Sequence, residues 1–211
     1  MKRVTLSEQA YTALKGKISK LDSGTHLSVR SFCEEVHMGY TPVREAFLRL
    51  EREGLLRQIP NVGFLVQSYD IPAIIHYYQT RECLEPFVLK NVFDHLTPED
   101  ISTMEREFEA CSAAIRADDS RGFIPHDIAF HMVMFDRYKN PHLSNLYQAI
   151  REQNMYFSRQ NNSVLSYAIN DHLQLLDAIR AGDCPGAVDI LNAHIAHART
   201  NMIAGFTLFS E

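Results

Sequence analysis

The chain has 211 residues, 45% hydrophobic and 22% charged, which is ordinary globular composition with length for one or two domains and argues against disorder. No apolar run reaches the roughly 18 residues of a membrane span, and the N-terminal MKRVTLSEQAY lacks the apolar core of a signal peptide, so a cytoplasmic protein without a membrane partner is expected. Cys33, Cys83, Cys111 and Cys184 lie far apart with no C-x-x-C pair, which speaks against a zinc ribbon and against a disulfide framework.

The net charge of −5 divides unevenly. Residues 1–69 hold ten Lys and Arg against seven Asp and Glu, a net of +3, while residues 70–211 hold eleven against nineteen, a net of −8. A basic first third and an acidic remainder suit a head that meets phosphates joined to a body with another task, because phosphate attraction depends on the local patch.

In chain order, Leu6 to Leu21 has the stripe Ala10, Leu14, Ile18 and Leu21 of a first helix, with Thr5 or Ser7 as its cap. Asp22-Ser23-Gly24-Thr25 breaks it, and Leu27-Ser28 leads into a second helix carrying Arg30 and Val36. Thr41 is then placed to cap a third helix, with Pro42 at its first position, where the missing N–H costs nothing. Val43, Phe47, Leu48 and Leu50 face inward from it, Arg44, Arg49 and Arg52 lie on other faces, and Gly54 stops it. Leu55–Ile59 and Gly63–Val66 flank the turn Pro60-Asn61-Val62-Gly63 and read as a hairpin. Three helices followed by a hairpin make a winged helix-turn-helix, with its boundary near Ser68 to Pro72.

TPVREAF, LEREGLL and PNVGFLV, in that order, resemble the signature of GntR-type bacterial transcription regulators, and LSVRSFCEEVHMG resembles the first helix of the family's motif. The resemblance implies DNA contacts from Arg30, Thr41 and Arg44, with Asn61 and Gly63 carrying the wing to the duplex. Two positions depart from the family pattern: Tyr40 stands where an arginine is usual, and Val62 where the wing turn is often basic.

After Asp70 every segment has helical spacing: 71–95, 98–117, 120–138, 141–160, 163–181 and 183–206, separated by breaks such as LTPED, KNPH and AGDCPG. The expected fold is therefore mainly α, with a winged helix-turn-helix domain over 1–69 and an all-α six-helix bundle over 70–211. Several histidines interrupt the apolar stripes of this bundle. His172 lies among Ile169, Leu176 and Ile179, His194 among Leu191, Ala198 and Met202, and Asp127 and His131 share a helix face at i, i+4. One carboxylate and three imidazoles make a ligand set that a divalent Zn, Ni, Co or Mn accepts. The alternative is that each histidine is a hydrogen-bonded core residue.

DIAFH, NDHLQLLDAIRAGD and NAHIAHAR resemble landmarks of the FCD (FadR C-terminal) effector domain found on many GntR regulators. In that family's metal-binding members the positions of Asp127, His131, His172 and His194 hold the ion, with His197 the competitor for the last place. TRECLEPF resembles the family's R-x-x-L-E pattern, which implies that Arg81 holds the carboxylate of a small organic acid effector; the other reading is a surface arginine paired with Glu85 one turn on. Arg159 and Asn161 are further candidates near such a pocket, and Tyr156 reads as core or cavity wall. The resemblance implies a homodimeric, ligand-responsive regulator on a pseudo-palindromic DNA operator. Two other readings stand beside it: a single-metal hydrolase, and a DNA-binding protein whose helical domain only dimerises.

Overall fold

A computed structural model describes the backbone of residues 5–67, 70–157 and 166–208, and the chain separates into two units, Met1–Tyr69 and Asp70–Glu211. Arg159 and Asn161, and the side chain of Tyr156, lie outside the described residues.

The first unit runs α1 (Leu6–Ile18), β1 (His26–Leu27), α2 (Val29–Val36), α3 (Tyr40–Arg52), β2 (Leu56–Ile59) and β3 (Gly63–Val66). Thr5 caps α1 by accepting the Glu8 N–H at 3.2 Å. The helix stops three residues short of the expected Leu21 because the chain tightens there: Lys20 and Leu21 donate to the carbonyls three residues back, at 2.9 and 3.0 Å. Apolar residues of all three helices meet over the sheet, with Ala10, Leu14, Val43, Phe47 and Leu50 buried. The Phe47 ring sits 5.9 Å from Phe32 and 4.9 Å from Phe64.

Two expectations for this unit are corrected. Thr41 does not cap α3: Gly39 is the capping residue, without a side-chain hydrogen bond, and Thr41 and Pro42 are the second and third helical residues. Pro42 still costs no helical bond, since the first four N–H groups of a helix have no partner within it. The wing is also more than a hairpin. The sheet has three antiparallel strands in the order β1-β3-β2, with His26 opposite Leu65, Leu27 opposite Phe64 and Ile59 opposite Gly63. A strand of two residues has no period to detect, which hides β1 from sequence reading. Gly54 follows α3 at φ 75°, the left-handed conformation that suits glycine at a helix end.

The second unit is built from α4 (Ile71–Val92), continued by a 3-10 turn over Phe93–His95, then α5 (Pro98–Arg116), α6 (Ser120–Tyr138), α7 (Pro141–Phe157), α8 (Ser166–Arg180) and α9 (Cys184–Leu208). Asp70 caps α4 through the Ala73 N–H at 2.8 Å, and Thr97 with Asp100 forms a reciprocal capping box at the start of α5. Ile74, Tyr77, Tyr78, Leu89, Met104, Phe130, Met134, Tyr147, Leu176 and Leu191 form the core, which draws on all six helices. Among the described residues no helix is long and apolar enough to cross a membrane.

Candidate nucleic-acid interface and metal centre

In the first unit Arg30, Arg44, Asn61 and Gly63 come together. With Tyr40 and Val62 they line an open groove of about 320 Å³ bounded by α2, α3 and the wing. Arg30 is the second residue of α2, and Arg44 stands one turn into α3. Both side chains are exposed, and neither has a hydrogen-bond or ion-pair partner among the described residues. Arg49 on the same helix as Arg44 is committed elsewhere: it donates to Glu53 at 3.0 Å and Glu8 at 2.9 Å and lies 3.6 Å from the centre of the Tyr11 ring. Arg52 donates to its own helix's Leu48 carbonyl and is not part of the groove lining, so Arg44 is the arginine of α3 that faces the groove.

The wing tip is shaped by backbone constraints. Asn61 adopts φ 61°, a left-handed conformation that asparagine tolerates. Gly63 has φ 136°, and a Cβ there would meet His26 Nε2 at 2.8 Å and the Leu27 carbonyl at 2.9 Å. Glycine is required at 63 by the close approach of β1, whatever else the wing does. His26 Nε2 lies 2.8 Å from the Val62 carbonyl and ties the turn to β1. Thr41 is exposed at the second residue of α3 and is not part of the groove lining, so the groove unites four of the five residues expected at DNA.

In the second unit Asp127 and His131 from α6, His172 from α8 and His194 from α9 meet inside the bundle, with one donor atom of each within 4.8 Å of the others, and all four are buried. His131 Nε2 lies 3.2 Å from His172 Nε2, and Asp127 Oδ1 lies 3.3 Å from His172 Nε2 and 3.9 Å from His131 Nε2. Donors about 2.1 Å from one ion are spaced about 3 to 4 Å apart, so the cluster fits a divalent cation with little movement. The protonation states fit as well. Burial holds the His131 and His172 imidazoles below their ordinary range, neutral with a lone pair to offer. Burial works against the Asp127 carboxylate, but the Arg151 guanidinium beside it outweighs that and holds the carboxyl well below the usual range.

The residues around these four were only partly visible in the sequence. Arg81 is buried and bonded twice to Glu85, through Nε to Oε1 and through Nη2 to Oε2 at 3.3 Å, so it is not an open fork. The reading of Arg81 as a surface arginine is corrected by its burial, although the Glu85 partner of that reading is present. That glutamate does more than neutralise it, since its Oε2 stands 3.1 Å from His131 Nδ1. Arg151 of α7 is fully buried, pairs with Asp127 Oδ2 and donates to the Tyr77 hydroxyl at 3.4 Å. Sequence reasoning missed it because a single arginine in IREQN has the pattern of a solvated face; its only signal is Tyr147 one turn earlier, the ring over which it lies at 5.8 Å. Asp171 was missed too, although it adjoins His172: its Oδ2 is 3.0 Å from His197 Nδ1 and 3.5 Å from His194 Nδ1. His197 is 57% exposed and stands outside the four-donor cluster. His126 pairs with Glu107 at 2.8 Å on the surface, and His76, His95 and His142 are exposed.

The comparisons with known proteins divide the chain along the same lines. Residues 6–66 match the model described as "Bacterial regulatory proteins, gntR family", and residues 76–197 match that of the FCD domain. The HTH-type transcriptional regulator McbR of Escherichia coli is 26% identical over 207 residues, covering 93% of this chain and 94% of the relative. The solved structure of E. coli McbR/YncC superposes with a TM-score of 0.81 at 23% identity, over 98% of this chain and all of that one. The Zn2+-bound FCD domain of TM0439 superposes with a TM-score of 0.56 at 24% identity, over 66% of this chain and 97% of that domain.

Proposed function

The chain belongs to the gntR family of bacterial regulatory proteins and carries an FCD domain, which makes it a transcription regulator, and we propose that it is a homodimer whose grip on a pseudo-palindromic operator is set by a small organic acid bound at a buried metal ion. The observation that carries this reading is the convergence of Asp127, His131, His172 and His194 on one point inside the bundle. Those four residues would hold a divalent ion, of the Zn, Ni, Co or Mn class, and the ion would supply a Lewis-acidic attachment point for a carboxylate. That an FCD domain is described as Zn2+-bound supports the reading.

Charge balance argues for an anionic effector. The buried charges around the cluster are Arg81 and Arg151 against Glu85, Asp127 and Asp171, which sum to −1. A divalent cation added to that set leaves one uncompensated positive charge in a desolvated interior, a costly state that a carboxylate relieves. Arg81 and Arg151 would favour the acid by their charge, with Arg81 acting across its pairing to Glu85 rather than as a free fork.

In the head, Arg30 and Arg44 would take phosphates or base edges, Asn61 and Gly63 would bring the wing to the backbone, and Thr41 would contribute its hydroxyl at the exposed start of α3. Two heads on two half-sites follow the symmetry rule for helix-turn-helix dimers. The acid acts only to the extent that it binds one arrangement of the dimer better than the other.

The test is elemental analysis of the purified protein before and after chelation, beside operator-shift titrations with a panel of small organic acids. Bound metal in near-stoichiometric amount, and an acid that changes operator affinity only in metal-loaded protein, are the expected results. Protein that takes up no metal would end the proposal.

A further inference from the structure

The three metal-facing histidines are not held alike. Each is buried, and the Nδ1 atoms of His131, His172 and His194 make no hydrogen bond of good geometry to the described residues. Two of them nevertheless have a carboxylate within reach. Glu85 Oε2 stands 3.1 Å from His131 Nδ1, and Asp171 Oδ2 stands 3.5 Å from His194 Nδ1. Neither carboxylate belongs to the four-donor cluster, and each comes from a helix other than that of the histidine it approaches: Glu85 from α4 toward α6, Asp171 from α8 toward α9.

Imidazole presents one lone pair and one N–H, and which nitrogen carries the proton is decided by what the other side of the ring meets. A carboxylate beside Nδ1 keeps the proton there and leaves the Nε2 lone pair free. We propose that Glu85 and Asp171 are positioning residues for the metal site, Glu85 fixing the tautomer and ring plane of His131 and Asp171 those of His194. This rests on the metal-centre reading given above. It assigns a purpose to two buried carboxylates that the four-ligand count leaves idle. It also assigns one to Arg81, whose bonds to both oxygens of Glu85 fix where that carboxylate points. Asp171 is fixed in a different way, by His197, whose Nδ1 lies 3.0 Å from the same Oδ2 atom. His172, with no carboxylate at its Nδ1 among the described residues, relies on packing, its ring stacked on Phe130 with centroids 4.4 Å apart.

The test compares truncation with conservative replacement at each carboxylate. Metal-free protein is titrated with Co2+ in competition with a chromophoric chelator, and the visible absorption of the bound Co2+ is recorded as a report on coordination geometry. Glu85→Ala and Asp171→Ala should each weaken Co2+ binding by about 10- to 100-fold, the usual effect of removing an outer partner of a metal-bound histidine, and should alter the absorption band. Glu85→Gln and Asp171→Asn keep an acceptor oxygen and should recover most of the loss. Glu107→Gln, which breaks the surface pair with His126, should bind as the parent does. If loss of Glu85 leaves Arg81 unpaired and the chain unfolds, the Asp171 pair decides alone. Parental affinity and spectrum in Asp171→Ala would overturn the proposal, as would Asp171→Asn binding no better than Asp171→Ala. A parent protein that binds no Co2+ fails at the metal-centre reading, a different result from a parent that binds and variants that match it.

Discussion

The head and the bundle both depend on arginine, and they use it in opposite ways. Arg30 and Arg44 stand exposed at a groove with no partner among the described residues, whereas Arg81 and Arg151 are sealed inside the bundle and each is joined to a carboxylate. An exposed arginine contributes little to folding and keeps its donors for a phosphate or a base; a buried one must be neutralised within the fold before it can influence anything. The head is therefore arranged for a large polyanion arriving from solvent, and the bundle for a small charged guest that alters a balance already struck. Removing residues from each region should produce different kinds of loss.

The largest loss is expected in the bundle. His172→Ala combined with His194→Ala leaves Asp127 and His131, which share one helix and cannot enclose an ion, so metal content should fall to background and affinity by on the order of 100-fold or more. The fold should survive, because a bundle of this length has an apolar core of its own. Operator binding without effector should persist while the response to an organic acid disappears. Full metal content in the double variant, read by elemental analysis, would remove these two histidines from the ligand set.

Next in size is Arg151→Ala. It strands the Asp127 carboxylate in the interior and should cost about 3 to 5 kcal/mol of stability in metal-free protein. A divalent ion placed beside Asp127 replaces the lost positive charge, so urea midpoints measured with chelator and with added Zn2+ should differ more for the variant than for the parent. Equal midpoints for variant and parent in chelator would show that the Arg151 pair does not neutralise Asp127.

These two sites were not equally legible in the sequence. Periodicity exposed His172 and His194 as polar residues in apolar helical stripes and put Asp127 and His131 on one helix face, whereas the choice of these four as one set came from the resemblance to the FCD domain. The helices themselves followed from spacing and breaks: α6 spans Ser120–Tyr138, the range its pattern indicates. Arg151 and Asp171 could not be read, because they sit next to polar residues and only the packing of neighbouring helices turns them inward. For Glu85, spacing supplied the pairing with Arg81 but could not supply His131, which lies on another helix. In the head, the α3 start was misplaced by two residues because Thr-Pro is a strong cap signal, and Gly39, free of side-chain constraint, took the position instead.

In the head the expected effects are on binding rather than stability. Arg44→Ala removes a side chain with no partner among the described residues, so unfolding free energy should stay within about 0.5 kcal/mol of the parent. Operator affinity should fall by about 1 to 3 kcal/mol if the guanidinium reads a guanine, with a shallower salt dependence if it holds a phosphate. The contrast with Arg151→Ala is the point of the pair. Unchanged operator affinity at two salt concentrations would leave Arg44 without a place at the DNA.

The smallest effect is expected where the head departs from the pattern of its family. Tyr40 is 57% exposed, opens α3 and lines the groove with Arg30 and Arg44, so a cation at its position would face the same duplex. As the first residue of the helix it gives up no helical hydrogen bond to substitution, and arginine is a better helix former than tyrosine, so Tyr40→Arg should fold as the parent does. One added phosphate contact releases about one more counterion. The slope of log affinity against log salt should then steepen by about 0.9 for each half-site, with the gain in affinity largest at low salt and vanishing toward 1 M. Titrating a selected operator at four salt concentrations measures that slope directly. A variant that binds more tightly at every salt concentration with an unchanged slope would mean that position 40 meets base edges rather than the backbone, and a variant indistinguishable from the parent would place the side chain beyond the reach of either.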